Sequence, residues 1–288
     1  MSLMHKYPNF TELPLEKRVR SYLQELFLFC RSEFRSDLRS LVLFGSQTRS
    51  SASNISDVDI IIIVSDSVSK RRICKSRGKI EWLEIKYSYS LEVKGILRFF
   101  RALDRATGMF VSHFICHETE FISGNFARIF GVNRLLAFLT APGESVLFNM
   151  QHHAITLWGD NLLVKMRTPK LTTAQLMKSL IMNLLLTTGT LLLAPLTNES
   201  TRRSLESQKW SVHTTLAWLL NKSLPLDQGI QILTPQPCFL RSYLRILLYL
   251  RKNYQPFPKL ILLSPFLIFL IHRKGIKQAH SLPNLRDF

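Results

Sequence analysis

Acidic residues are scarce in this chain of 288 residues, where 20 Asp and Glu stand against 38 Lys and Arg. The formal net charge is +18, and after residue 165 only 4 acidic residues accompany 16 basic ones. Coulomb repulsion makes such a region a poor host for polycationic small molecules. The balance favours a polyanionic partner, above all a nucleic acid. A basic surface that serves only solubility is the alternative.

Cysteines and long apolar runs are also few. The four cysteines are scattered and form no Cys-x-x-Cys, which excludes a zinc ribbon or a disulfide framework and predicts a reducing, cytoplasmic setting. The first residues lack the apolar segment of a secretory signal. Residues 179–196 carry no charge but include Asn183, Gly189 and Pro195. We therefore expect a buried bundle helix there and no membrane association.

What the chain does contain is a distinctive segment at residues 41–64, LVLFGSQTRSSASNISDVDIIIIV. One apolar strand ends at Gly45-Ser46, where backbone N–H groups can cradle phosphate oxygens. A second apolar strand opens with Asp57-Val58-Asp59, a spacing that puts both carboxylates on one face of the strand. Two carboxylates together with phosphates suit Mg²⁺. A solvated turn is the alternative, but a buried strand that begins with carboxylates needs a compensating cation.

This combination resembles the nucleotidyltransferase superfamily, which includes DNA polymerase beta and kanamycin nucleotidyltransferase, and especially its small prokaryotic members. The matching residues are Leu43-Phe44-Gly45-Ser46, Arg49 and Ser56-Asp57-Val58-Asp59. The resemblance implies that Gly45, Ser46 and Arg49 bind the phosphates of a nucleoside triphosphate, with ATP the first choice. It implies that Asp57 and Asp59 hold Mg²⁺ and that a nucleoside monophosphate is moved to an acceptor hydroxyl.

A two-metal site of this kind usually needs a third carboxylate on a neighbouring strand to activate the attacking hydroxyl. Glu118 follows a predicted strand at residues 110–116 and is favoured over Glu84, whose segment, residues 79–87, could form another strand. We therefore predict Asp57, Asp59 and Glu118 as the catalytic set. Without a third carboxylate within reach, a nucleotide-binding or partner-binding module, as in toxin–antitoxin systems, is the alternative.

The pattern predicts an α+β protein of two domains. Residues 1–167 form a small mixed-sheet nucleotidyltransferase domain, and residues 168–288 form a basic, all-helical bundle. The boundary lies at Thr168-Pro169, because a residue before proline resists helix and the composition changes there. Helices are expected at residues 15–35, 91–105, 146–157, 172–194, 199–220, 238–254 and 259–271.

The basic composition also bears on the acceptor. RNA, such as a tRNA end, or a protein hydroxyl fits it better than a polycationic antibiotic. The basic stretch SKRRICKSRGK, residues 69–79, is expected to contact triphosphate or RNA, with a solvated surface segment as the alternative. The oligomeric state stays open.

Overall fold

A computed structural model gives the fold and describes residues 13–48, 58–89, 111–194, 199–236 and 238–281. The chain divides into two compact units. The first contains the residues up to Arg134, apart from a short stretch at 53–55, together with His153–Thr168. The second contains Leu135–His152 and the chain from Pro169 onward. One division between the units falls between Thr168 and Pro169, and residues 135–152 belong to the second unit.

The first unit is built on a four-stranded mixed sheet. Its strands are β1 (Leu38–Phe44), β2 (Asp59–Val64), β3 (His113–His117) and β4 (Ile155–Gly159), in the order β3-β2-β1-β4. β1 runs antiparallel to both β2 and β4, and β2 runs parallel to β3. The apolar runs predicted to be strands are buried here on both faces.

Two helices cover one face of this sheet. α1 (Lys17–Phe34) turns an apolar stripe inward, and α2 (Lys70–Lys86) starts at Ser69, whose Oγ accepts the Arg72 N–H at 3.3 Å. Full burial of each large apolar side chain contributes about 1.5–3 kcal/mol. The shared core includes Tyr22, Leu26, Phe27, Leu41, Leu43, Ile60, Ile62, Ile80 and Leu83.

The opposite face carries aromatic side chains and two short helices. Phe44, Phe114 and Phe130 form a cluster with ring centroids 4.7–6.1 Å apart. α3 (Glu118–Ile122) and α4 (Phe126–Ile129) follow β3 directly. This face therefore also has a hydrophobic layer, which leaves the strand ends as the places where polar groups meet solvent.

The second unit is helical. Its apolar core includes Leu205, Val212, Leu216, Leu244, Leu247, Leu260 and Leu267. Among the described residues, no helix is both long enough and apolar enough to span a membrane. The helices are α5 (Arg134–Thr140), α6 (Gly143–His153), α7 (Thr173–Leu193), α8 (Ser200–Leu220), α9 (Leu226–Leu233), α10 (Phe239–Lys252) and α11 (Pro258–Ser281).

The α+β class is confirmed, while several predicted elements differ from the structure. Residues 79–87, considered as a strand, lie mostly in α2. The predicted helix at residues 146–157 ends at His153, and β4 begins two residues later. The helix expected at 259–271 extends over 24 residues and passes through Pro265. The helix predicted at 91–105 lies entirely outside the described residues.

Candidate active site

The end of β1 and the start of β2 meet at Gly45 and Asp59. Phe44, the last residue of β1, pairs with Asp59 across the antiparallel ladder. Gly45 has φ +80°, and a Cβ at this position would lie 2.1 Å from Oδ2 of Asp59. Only glycine fits this backbone and this space. The absence of a side chain at Gly45 is therefore what lets the Asp59 carboxylate lie directly over the turn.

The turn itself is a short 3₁₀ helix, Gly45–Thr48, which contains Ser46. Thr48 Oγ1 donates to the Gly45 carbonyl at 2.9 Å and closes the turn. Its residues are partly exposed, whereas the strand before it is buried. The turn thus presents backbone and hydroxyl groups at the surface beside a carboxylate.

The neighbouring strand brings a hydroxyl, not a carboxylate, next to Asp59. The Ile60 N–H donates to the Ser112 carbonyl at 2.7 Å, and Ile60 pairs with His113. One residue earlier on each parallel strand, Asp59 and Ser112 are neighbours whose side chains share a face. A third carboxylate on this strand would occupy the position of Ser112.

Glu118 does not reach this site. The parallel register continues from Ile60 and His113 to Val64 and His117, and Glu118 follows that last pair. At about 3.3 Å per residue, this puts Glu118 roughly 15–20 Å along the strands from Asp59. Oε2 of Glu118 instead lies 3.4 Å from Nε of Arg39. The register therefore places Glu118 at the opposite end of the strands from Asp59.

Glu84, the other candidate, lies on the wrong face of the sheet. It is buried on α2, and its Oε1 lies 2.7 Å from Nδ1 of His113, which is also buried. His113 pairs with Ile60, whose side chain belongs to the core beneath α1 and α2, and not with Asp59. Sequence reasoning missed this pair, because nothing in the spacing of a helix and a distant strand shows that they meet.

Two predicted site residues, Arg49 and Asp57, lie outside the described residues. Within the described ranges, no group of three or more His, Cys, Asp and Glu could hold a metal ion. The described part of the site offers one carboxylate, Asp59, next to a glycine turn. Hard oxygen donors of this kind suit Mg²⁺, which takes few protein ligands and completes its shell with phosphates and water.

The basic stretch at residues 69–79 forms the first turns of α2 and is partly neutralised. Arg72 Nη1 lies 3.0 Å from Asp37 Oδ2, and Lys79 Nζ lies 2.8 Å from Glu33 Oε2. Lys70, Arg71 and Lys75 are exposed. The segment therefore helps to attach α2 to the C-terminal end of α1 as well as presenting charge to solvent.

Comparison with known proteins finds similarity to the segment that carries the glycine turn and the aspartates. Residues 23–105, which include the glycine turn and the aspartates, match the nucleotidyltransferase domain family. A protein of Methanocaldococcus jannaschii, provisionally named a protein adenylyltransferase, is 36% identical over 83 residues. That alignment covers 28% of this chain and 56% of the relative's length.

A solved structure shows the same fold across most of the chain. Spectinomycin adenyltransferase AAD(9) from Enterococcus faecialis, determined with ATP and spectinomycin, aligns with a TM-score of 0.59. The match covers 89% of this chain and 98% of that chain at 11% identity, so it concerns the fold alone. The domain match over residues 23–105 confirms the predicted resemblance to the nucleotidyltransferase superfamily.

Proposed function

We propose that this protein transfers AMP from ATP to a hydroxyl group of a macromolecular acceptor. The observation that carries the proposal is the Asp59 carboxylate held over Gly45 at the end of an apolar strand. The names of two adenylyltransferases among the similar proteins support ATP as the nucleotide. A cytoplasmic location, in keeping with free cysteines at positions 30, 74, 116 and 238, is part of the proposal.

Each residue of the segment has a role in this scheme. The backbone of Gly45, the hydroxyl of Ser46 and the guanidinium of Arg49 hold the triphosphate. Asp57 and Asp59 would hold Mg²⁺, whose chemistry there would be to neutralise charge on the phosphates. The acceptor hydroxyl oxygen forms a bond to the α-phosphorus and releases its proton to solvent, the bond from the α-phosphorus to the α,β-bridging oxygen breaks, and pyrophosphate leaves. Positioning and charge neutralisation supply most of the acceleration.

For the acceptor we propose a protein hydroxyl, with RNA as the alternative. The name of the M. jannaschii protein supports a protein acceptor. After residue 165 the chain has 16 basic and only 4 acidic residues, which favours an acidic partner over a cationic antibiotic. If RNA is the acceptor, the protein's affinity for RNA should weaken steeply with added salt.

The test uses ATP labelled on its α-phosphate, Mg²⁺, and cell protein and RNA as separate acceptors. The wild-type protein should label the protein fraction, and Asp59→Asn should lose about 100-fold or more of this activity because one metal-binding carboxylate becomes neutral. Circular dichroism should be unchanged for this isosteric variant. Undiminished labelling by Asp59→Asn would refute the assignment of the site.

A second candidate function is nucleotide binding without transfer. Ser112 favours it, because the residue beside Asp59 on the neighbouring strand offers a hydroxyl and not a carboxylate that could activate the acceptor. This candidate predicts Mg²⁺-dependent ATP binding with no release of pyrophosphate in the presence of any acceptor fraction. Release of pyrophosphate in step with acceptor labelling would exclude it.

A further inference from the structure

The first unit has a cavity of about 610 Å³ at the end of the sheet opposite to Gly45 and Asp59. We name it the arginine cleft. Leu38 at this end of β1 pairs with Val64, the last residue of β2. Along a seven-residue strand the two ends lie roughly 20 Å apart. The cleft is lined by Arg31, Arg35, Ser36, Leu38, Arg39, Trp158, Gly159 and Asp160.

Three guanidinium groups line this cleft beside a single carboxylate, that of Asp160. Arg39 is held by Glu118, and the Arg31 guanidinium lies 5.2 Å from the ring centroid of Trp158. Across the described residues, neither Arg31 nor Arg35 has an ion pair with a carboxylate. The lining therefore keeps an excess of positive charge, with donors in fork geometries that match phosphate oxygens.

Arg35 has an unfavourable backbone for a residue with a side chain. It ends α1 with φ 51° and ψ −122°, and its N–H donates to the Arg31 carbonyl. A cation near a helix C-terminus is favourable in itself, which accounts for Arg31. The backbone at position 35, however, favours glycine, and strain of this kind concentrates at functional sites. The Arg35 side chain is thus present at a cost to stability.

The wall of the cleft opposite the arginines is formed by the end of β4, which packs closely on the backbone of β1. Gly159 has φ +84°, and a Cβ there would lie 2.1 Å from the Arg39 carbonyl. The Asp160 N–H donates to that same carbonyl at 3.1 Å. Trp158 is buried, so its ring forms a fixed surface beneath Arg31. The cleft consequently has a defined wall on the strand side and cationic side chains on the helix side.

We propose that the arginine cleft binds a small phosphorylated molecule at a site separate from the glycine turn. Its volume lies within the range of about 300–1,000 Å³ of small-molecule sites. A nucleic acid strand requires an extended groove that follows its backbone, whereas this cavity is bounded on the strand side. Glu118 acts here as a positioning residue that orients Arg39.

The test measures binding of inorganic pyrophosphate to the full chain by calorimetry, with EDTA present to remove divalent cations. Wild-type protein should bind, and Arg35→Gly should lose at least tenfold in affinity. The same variant should keep or raise the thermal unfolding midpoint, because glycine relieves the backbone strain. Arg71→Ala removes an exposed arginine from α2 and is the matched control, which should bind as wild type does.

Three outcomes would overturn the proposal. No pyrophosphate binding by the wild-type protein would show that the cleft is not a phosphate site. Equal affinity in wild type and Arg35→Gly would place the bound ion elsewhere. A short single-stranded RNA that binds the wild type and loses affinity in Arg35→Gly, while pyrophosphate does not bind, would assign the cleft to nucleic acid. Because Asp59→Asn changes the other end of the sheet, that variant should retain pyrophosphate binding even if no transfer activity is found.

Discussion

The two compact units bury polar side chains in different ways. In the first unit they lie in or against the sheet: Ser112 adjoins Asp59, while Glu84 and His113 pair with each other on the opposite face. In the second unit they form rows along long helices. These rows include Ser179, Asn183 and Thr187 on α7, Ser204, Ser207, Gln208 and Ser211 on α8, and Ser264 and His272 on α11.

Several polar side chains of the helical rows donate to backbone carbonyls one turn back along their own helix. Asn183 Nδ2 donates to the Ser179 carbonyl, and Thr187 Oγ1 donates to the Asn183 carbonyl, each one turn back along α7. Small residues at these positions also allow close helix contact. A Cβ on Gly275 would lie 2.2 Å from Cγ2 of Thr215. Polar burial therefore serves helix contact in the second unit, whereas around Asp59 it accompanies a candidate site.

A carboxylate in the second unit, Glu206, also serves the stability of the helices. Burial would raise the pKa of Glu206, but the adjacent Lys209 and Arg251 outweigh burial and hold it well below its usual range. This partly buried cluster depends on all three charges, since removing one partner leaves an unpaired charge. The contrast leads to an expectation: changes near Asp59 should mainly affect function, and changes in the helical rows should mainly affect stability.

Gly45→Ala should have the largest effect. The added Cβ meets Asp59 Oδ2, and alanine disfavours φ +80°, so the carboxylate and the turn cannot keep their geometry. We expect ATP affinity, measured by calorimetry with Mg²⁺, to fall by about 100-fold or more. Gly78→Ala is the control, because a Cβ at Gly78 meets nothing within 4 Å and should stabilise α2 by about 0.5–1 kcal/mol. Unchanged ATP affinity in Gly45→Ala would contradict the site.

His272 should dominate the pH dependence of the second unit's free energy of unfolding. Burial lowers the pKa of this residue from 6.5 to about 4, so the unfolded chain binds its proton more readily than the folded one. Its contribution, about 3 kcal/mol, is present above pH 6.5 and is lost as the pH falls towards 4. Between pH 4 and 7, the free energy of unfolding measured in urea should change less with pH for His272→Gln than for the wild type. The same pH dependence of the free energy of unfolding in both proteins would show that His272 is not buried in its neutral form.

Ser112→Asp tests whether the strand beside Asp59 can hold a third carboxylate. The variant should bind Mg²⁺ with nucleotide more tightly, by about tenfold, since it adds a negative ligand next to Asp59. Ser112→Asn has the same shape without charge and should show no gain. Titration of Mg²⁺ at fixed ATP measures the difference. Equal behaviour of the two variants would mean that the register does not bring position 112 to the metal.

Glu118→Gln should have the smallest effect on nucleotide transfer. Glu118 contacts Arg39 at the far end of the sheet, so its charge is screened from the nucleotide. We expect a change of less than about twofold in the rate of AMP transfer, measured beside Asp59→Asn as the inactive reference. A loss as severe as that of Asp59→Asn would restore Glu118 to the catalytic set.

Strong local patterns predicted much of this structure. The apolar run before Gly45 and the isoleucine run after Asp59 are both strands, and the amphipathic stripe of α1 is buried as expected. Elements with weak local signals were predicted wrongly. The segment around Glu84 alternates enough to pass for a strand, yet tertiary contacts with α1 and β3 make it a helix. β4 is short, and pairing with β1 rather than local propensity makes it a strand.

By itself, the sequence determined the chemical identity of the glycine turn and the aspartates, because their residue types and spacing lie within one short segment. It also carried the resemblance to the nucleotidyltransferase superfamily, which the domain match over residues 23–105 confirms. Only the tertiary structure decided which residues stand beside Asp59. Strand register is set by pairing between segments about fifty residues apart, and it brings Ser112 to that position while carrying Glu118 to the arginine cleft. A local pattern contains no information about such a pairing, so the third member of the site could not be read from the chain alone.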